Sequence, residues 1–207
     1  MCLHFLKLDR LGNPKGSQQL QAAHSRRLIG ISEWLTTLIE GRHHIRDGRV
    51  RLFTRTGVDW SDRYPWIVED TARLPVKQAI IDAECCCADE DGLTDFDALH
   101  SRVNDHEAFA YAFDLLLVDS EDIRRASLTE RKARLGKLLR KAKPGIRLRE
   151  HIEADGAVVF AHACKLRLEG IVSKRLDAPY RSGRARTWIK VKNKKAPAFI
   201  RVQEGTF

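Results

Sequence analysis

Apolar and polar positions fall into a regular order from Arg49 onward. "RVRLFT" (49–54) reads as a strand, and "RTGVDWSD" (55–62) as the turn after it. In "RYPWIVEDTARL" (63–74), Ile67, Val68, Thr71 and Ala72 are spaced like one side of a helix. "QAIIDAECCCADEDG" (78–92) is strand-like and closes in an acidic turn at Gly92, a pattern that predicts a hairpin. A short helical segment, "FDALHSRV" (96–103), precedes "AFAYAFDLLLVD" (108–119), which alternates and then becomes continuously apolar. Such a run marks a buried central strand.

Farther on, "SLTERKARLGKLLRKA" (127–142) carries Ser127 and Glu130 at capping-box spacing. Leu128, Leu135, Leu138 and Leu139 form one face, with basic residues around the rest, so an amphipathic helix with a solvated basic face is predicted. Asp155 is placed to start a further helix over "DGAVVFAHACKLRL" (155–168). "EGIVSKR" (169–175) and "TWIKVKN" (187–193) read as the final two strands, joined by a loop rich in Arg, Ser and Gly. In the last strand the two-residue period puts Ile189 and Val191 on one face and Lys190 and Lys192 on the other. Residues 1–48 carry the weakest pattern: "LGNPKGSQQLQAAHSRR" is turn-forming, and "LIGISEWLTTLIEG" alone can make a regular element. Strands and helices alternate without regular βαβ spacing, which predicts a mixed α+β domain over a doubly wound one.

Composition sharpens this picture at two points. Lys and Arg number 37 against 28 Asp and Glu, a formal net charge of +9, and such an excess favours polyanionic partners such as nucleic acid or nucleotides. No apolar run reaches membrane-spanning length, and "MCLHFLKLDR" interrupts its apolar start with Lys7 and Asp9, so neither a membrane span nor a signal peptide is expected and a cytoplasmic location is. Cys85, Cys86 and Cys87 are adjacent while Cys2 and Cys164 stand apart, which fits neither a disulfide framework nor a metal knuckle. Adjacent residues of a strand point to alternating faces, so these cysteines read as small buried apolar residues.

Charges recur at the apolar strands: Arg55 in "TRTG", Asp82 and Glu84 in "IIDAE", Glu169 in "EGIVSK", and Lys190 with Lys192 in "WIKVK". Charge within an apolar strand is costly to bury unless it pairs or meets a ligand. Acids that hold a hard cation opposite lysines that hold a phosphate would satisfy that requirement, because Mg²⁺ is usually bound by one or two carboxylates plus phosphate oxygens. Ordinary half-exposed strand charges are the alternative for any one cluster.

These segments, in this order, resemble the adenylation (nucleotidyltransferase) domain of ATP-dependent DNA ligases, and among them the ligase modules of bacterial end-joining enzymes. The resemblance runs from Arg49 to Phe207 through "LFTRTGVDWSDRYPWIVE", "IIDAE", "AFAYAFDLLLVD", "LEGIVSKR", "YRSGRARTWIKVKN" and "KAPAFIRV". It implies an ATP-grasp-like α+β nucleotidyltransferase domain of mostly antiparallel sheets flanked by helices; full ligases follow this domain with an oligonucleotide-binding barrel, and none is expected in the about fifteen residues after Lys192. It further implies ATP and Mg²⁺ (or Mn²⁺) as cofactors, nicked or broken double-stranded DNA as substrate, and end-joining or repair proteins as partners near the bacterial nucleoid. Arg55 would contact the nucleotide sugar or an incoming 5′-phosphate. Glu84 would accept from the ribose hydroxyl, Phe113 would stack on adenine, and Glu169 would hold the metal. Lys190 and Lys192 would touch the α-phosphate and stabilise charge developing there. Lys174, at the end of "EGIVSK", and Arg186 would join the nucleotide site. Arg181, Arg184 and Arg186 could meet the triphosphate, the DNA backbone or only solvent.

The chain departs from the family pattern at its front. The family's reaction begins with a lysine in K-x-D-G, which attacks the α-phosphate of ATP, and the window from Gly30 to Ile39 contains no lysine. Lys7 and Asp9 of "KLDR" have the spacing but lack the glycine and lie far upstream. Ala83 stands where the family has glycine in D-G-E. Residues 1–48 are therefore expected as a divergent or partly disordered segment, and 49–207 as the adenylation domain, incomplete on its N-terminal side.

Overall fold

The computed structural model describes residues 27–32, 39–87, 105–166, 168, 170–183 and 185–196. The expected helix over 96–103, the acidic turn ending at Gly92, the Lys7 and Asp9 pair, Glu169 and Arg184 lie outside the described residues.

The strands are β1 (Arg27–Ser32), β2 (Ile39–Arg46), β3 (Arg49–Thr54), β4 (Gln78–Cys86), β5 (Phe109–Val118), β6 (Glu121–Asp122), β7 (Ile146–Leu148), β8 (Gly170–Arg175) and β9 (Trp188–Lys192). The helices are α1 (Pro65–Ala72), α2 (Leu128–Leu139) and α3 (Gly156–Lys165). They build two sheets. A larger one runs β3-β2-β4-β5-β6 with β7 beside β5, and a smaller one runs β1-β8-β9. Every pairing is antiparallel except β5 with β7, in keeping with the expected α+β class.

The N-terminal strands belong to these sheets. β1 pairs along its whole length with β8, Arg27 opposite Arg175 through Ser32 opposite Gly170. β2 lies between β3 and β4. Residues 48 and 49 lie within the β2–β3 hairpin, in whose turn Asp47 (φ 49°) and Gly48 (φ 77°) both take the left-handed region. An Asp-Gly pair suits a two-residue hairpin turn because glycine adopts that region without strain and aspartate tolerates it.

One face of the large sheet carries the main core. Ile45, Val50, Leu52, Ile81, Ala83 and Leu115 pack there with Ile67 of α1 and Leu135 and Leu139 of α2. The cysteines behave as expected: Cys85, Cys86 and Cys87 are free thiols and all buried. Both predicted caps form. The Ser127 hydroxyl accepts from Glu130 N at 3.2 Å, and the Asp155 carboxylate accepts from Ala157 N and Val158 N at 2.9 and 3.1 Å. The small sheet has its own lesser core, Val159 and Ala163 of α3 against Ile171, with Val191 packed on them.

The basic face of α2 corrects the expectation of a solvated surface. Arg131 is fully buried and grips Asp114, also fully buried, through two hydrogen bonds of 2.8 and 3.0 Å. Its Nη1 group donates to the carbonyls of Ala126 and Ala178. Lys132 is also drawn inward and donates to the Arg149 carbonyl at 2.8 Å. Guanidinium enters a core only where a carboxylate and carbonyls replace its water, and β5 supplies that carboxylate in an otherwise apolar run.

Candidate functional site

Each sheet has a second face, opposite its core, and the two second faces meet. On the small sheet, Trp188, Lys190 and Lys192 alternate with Ile189 and Val191, and β8 sets Lys174 opposite Trp188 and Val172 opposite Lys190. Lys190 and Lys192 are exposed while Val191 packs inward, as the sequence period predicted. On the large sheet, Arg42 stands opposite Asp82 and Glu84 opposite Tyr111, which places them on one face.

Phe113 lies at an irregularity between these sheets. The β4–β5 register shifts between Asp82 and Ala83, so Ala83 pairs with Ala112 and Asp82 with Asp114, and Phe113 is passed over. A bulge of this kind re-aims a side chain. The Phe113 ring meets Lys174 Nζ at 4.3 Å and the Trp188 ring at 6.5 Å, and the same Nζ is 3.8 Å from the Trp188 ring. Lys174 is thus bracketed by two aromatic faces, an arrangement attractive to a cation.

The cleft between the faces is cationic. Lys132 sits behind Lys174, and burial, followed by the charge of Lys174, lowers its pKa to about 8. With Lys174, Lys190 and Lys192 on the facing strands, the wall favours an anionic ligand. Glu84 on β4 is half-buried on the opposite wall.

A polar cluster closes one side of the cleft. Arg42 Nε donates to Asp82 at 2.9 Å, and Arg42 Nη2 donates to the Tyr180 hydroxyl at 2.8 Å. That hydroxyl donates to the other Asp82 oxygen at 2.9 Å. Burial pushes the Asp82 carboxyl up against the pull of Tyr180 and Arg42, and burial together with Asp82 pushes the Tyr180 phenol up to about 12. Asp82, grouped with Glu84 in the sequence as a cation-holding acid, has both oxygens engaged in this cluster.

The structure therefore brings Phe113 and Lys174 together and puts Lys190 and Lys192 on the same sheet face as Lys174. Arg55 lies exposed in the turn after β3, and Arg186 is exposed ahead of β9. Arg42, Lys132, Tyr180 and Trp188 were not singled out by sequence reasoning. The two-residue period that marked Lys190 could have marked Trp188, two positions earlier on the same face.

Whether the residues fit a nucleotide and a metal differs for the two. An aromatic ring aimed into a cleft lined by lysines suits a nucleotide: a flat base against Phe113 and phosphates toward the ammonium groups. Among the described residues no cluster of three His, Cys, Asp or Glu could hold a metal ion by itself. A Mg²⁺ shared between one or two carboxylates and phosphate oxygens needs no such cluster. Among the described residues no helix is long and apolar enough to cross a membrane.

Residues 41–192 match the family model described as the ATP dependent DNA ligase domain. The multifunctional non-homologous end joining protein LigD of Pseudomonas aeruginosa is 39% identical over 160 residues, covering 75% of this chain and 19% of that protein. A probable DNA ligase of Streptomyces coelicolor is 35% identical over 167 residues, 72% of this chain and 32% of that one. In three dimensions the chain is similar to the ligase domain of Mycobacterium tuberculosis LigD, with a TM-score of 0.68 at 27% identity, covering 81% of this chain and 53% of that domain. A mycobacterial DNA ligase D complexed with ATP and MES gives the same TM-score and identity, covering 55% of that chain. The chain therefore spans a minor part, 19% and 32%, of the two curated relatives.

Proposed function

Because the chain belongs to the ATP-dependent DNA ligase domain family, we propose that it is a ligase-like nucleotidyltransferase domain that binds ATP between its two sheets and serves the sealing of nicked or broken DNA. The observation that carries this reading is the bracket of Phe113, Lys174 and Trp188 beside Lys190 and Lys192. In it, Phe113 stacks on the base and Glu84 accepts from the ribose hydroxyl. Lys190 and Lys192 neutralise the α-phosphate, and Lys174 joins them at the phosphates. Glu169 and the phosphates would hold Mg²⁺, which would supply further charge stabilisation at the reacting phosphorus. Arg55 meets the 5′-phosphate of the DNA, and Arg186 the triphosphate or the DNA backbone. End-joining or repair proteins are the expected partners.

A specific observation favours a second reading, nucleotide or DNA binding without self-adenylation. The β2–β4 register sets Glu40 opposite Glu84 and Gly41 opposite Ala83. Leu38-Ile39-Glu40-Gly41 has the spacing of K-x-D-G with leucine in the lysine position and glutamate for aspartate. A leucine has no amine with which to attack phosphorus, so formation of lysyl-AMP is not open to this chain at that position.

The test is incubation with α-labelled ATP and Mg²⁺, followed by a denaturing gel. The wild-type chain is expected to bind ATP and form no covalent AMP adduct, while Leu38→Lys gains one. Joining of a nick that already carries a 5′-adenylate needs no lysine nucleophile. If it occurs, the nucleotidyltransferase reading holds; if it fails in a chain that binds ATP and DNA, the binding-only reading replaces it. An adduct on wild-type protein mapped to another lysine would reject this view of the N-terminal strand.

A further inference from the structure

We infer that Tyr180 is the pin that fixes the separation of the two sheets, and that Arg42 and Asp82 are its socket, so that these three act as positioning residues for the nucleotide cleft. The inference rests on the reading of that cleft as an ATP site.

Tyr180 leaves the small sheet on the segment between β8 and β9, and its hydroxyl lands between Asp82 of β4 and Arg42 of β2, on the large sheet. Arg42 and Asp82 also grip each other, so each of the three groups contacts the other two. A triangle of charge-assisted hydrogen bonds tolerates little displacement, because moving one corner strains two bonds at once.

The rest of the segment is tethered as well. Tyr180 N donates to the Arg124 carbonyl at 2.8 Å, and Thr129 N to the Leu176 carbonyl at 3.1 Å. The buried Arg131 reaches the Ala178 carbonyl at 3.2 Å, and its guanidinium lies 5.9 Å from the Tyr180 ring centre. The pin thus stands on a support already anchored in the large core.

Its ring carries the position onward. Tyr180 meets Trp188 edge-on with ring centres 6.4 Å apart, and Trp188 in turn brackets Lys174 with Phe113. Trp188 is the first residue of β9, the strand that carries Lys190 and Lys192. Where Tyr180 sits therefore decides how far the lysines of the small sheet stand from Phe113 on the large one.

Tyr180→Phe tests this, since it keeps the ring and removes the hydroxyl. Amide hydrogen exchange followed by mass spectrometry is the first readout. Peptides covering 177–192 are expected to exchange about tenfold faster, as loss of a hydrogen bond to a charged group predicts, with β2, β3 and α1 unchanged. ATP affinity by calorimetry is the second, expected to fall about tenfold while the thermal midpoint shifts little. Asp82→Asn should weaken ATP binding similarly, and the double variant should be little worse than either single one, because the groups act as one unit. Unchanged exchange over 177–192 overturns the pin. Faster exchange with wild-type ATP affinity overturns the positioning role. If the wild-type protein binds no ATP, the reading of the cleft fails instead, and exchange alone still decides whether Tyr180 holds the sheets.

Discussion

The large and small sheets are held by different physics. The large sheet buries a continuous apolar face under α1 and α2, with Ile67, Ile81, Leu115 and Leu135 fully out of solvent. The small sheet buries Ile171 against Val159 and Ala163 of α3, and it is joined to its neighbour by polar contacts from the segment after β8 together with the small apolar pair Leu128–Leu176 and the contacts of Phe113 with Lys174 and Trp188. Apolar burial is non-directional and sums with area, whereas hydrogen bonds fix distances. The large sheet thus provides stability, and the small one a defined position for its lysines. Substitutions in the first should appear in unfolding measurements, and substitutions in the second in local opening and ligand affinity.

The largest effect on that contrast is expected at the exception within the large core. Asp114→Ala strands a fully buried guanidinium, and losing one partner of such a pair costs about 3–5 kcal/mol. Urea denaturation should show that loss. Asp114→Leu combined with Arg131→Met should recover most of it, since the apolar pair carries no desolvation cost. A double variant as unstable as the single one would mean that the Arg131 bonds to Ala126 and Ala178, rather than the ion pair, hold this part of the core.

Next comes His43, buried on the core face beside Thr71. Burial, followed by the charge of His44, lowers its pKa to about 4 from the ordinary 6.5. A histidine with a depressed folded pKa stays neutral in the folded state while the unfolded chain takes up a proton. Its contribution is therefore fully present above pH 6.5 and is lost as pH falls toward 4, amounting to about 3 kcal/mol over that window. Unfolding free energies from urea denaturation at pH 7 and pH 4.5 should differ by most of this amount in the wild type and by clearly less in His43→Phe. Equal pH dependence in both would place the acid sensitivity elsewhere, and would remove His43 from the account of the large core.

How much of this could be read from residues follows the same division. Periodicity marked β5, α1, α2 and β9 because each places apolar side chains against a core at a fixed repeat. It also separated Lys190 and Lys192 from Val191. Strand β1 was harder to place, since "LIGIS" becomes a strand by pairing with β8, far along the chain. Arg42 looked like any polar strand residue, because its partners lie 40 and 138 positions away. The aim of Phe113 depends on a bulge, which shifts register without a signature in the local pattern. Arg131 was masked by its basic neighbours on α2, where only the lone aspartate within "FDLLL" hinted that a cation was wanted inside. Resemblance to the ligase family supplied roles for Glu84 and Lys190 that charge and spacing left open.

The smallest effect sharpens the contrast most directly, because the same kind of contact recurs on both sides of it. Ser127 caps α2 over the large core and Asp155 caps α3 over the small one, and replacing either by alanine costs about 1 kcal/mol of helix stability. If the small sheet opens as a separate unit, the two losses are felt differently. Ser127→Ala should lower the urea midpoint of the whole chain. Asp155→Ala should leave that midpoint nearly in place and speed amide exchange in α3, β8 and β9 by about fivefold, since about 1 kcal/mol is spent on local opening. Equal shifts in the global midpoint would instead mean that the two sheets unfold as one unit. The polar contacts around Tyr180 would then have to couple the sheets as strongly as a shared apolar core does.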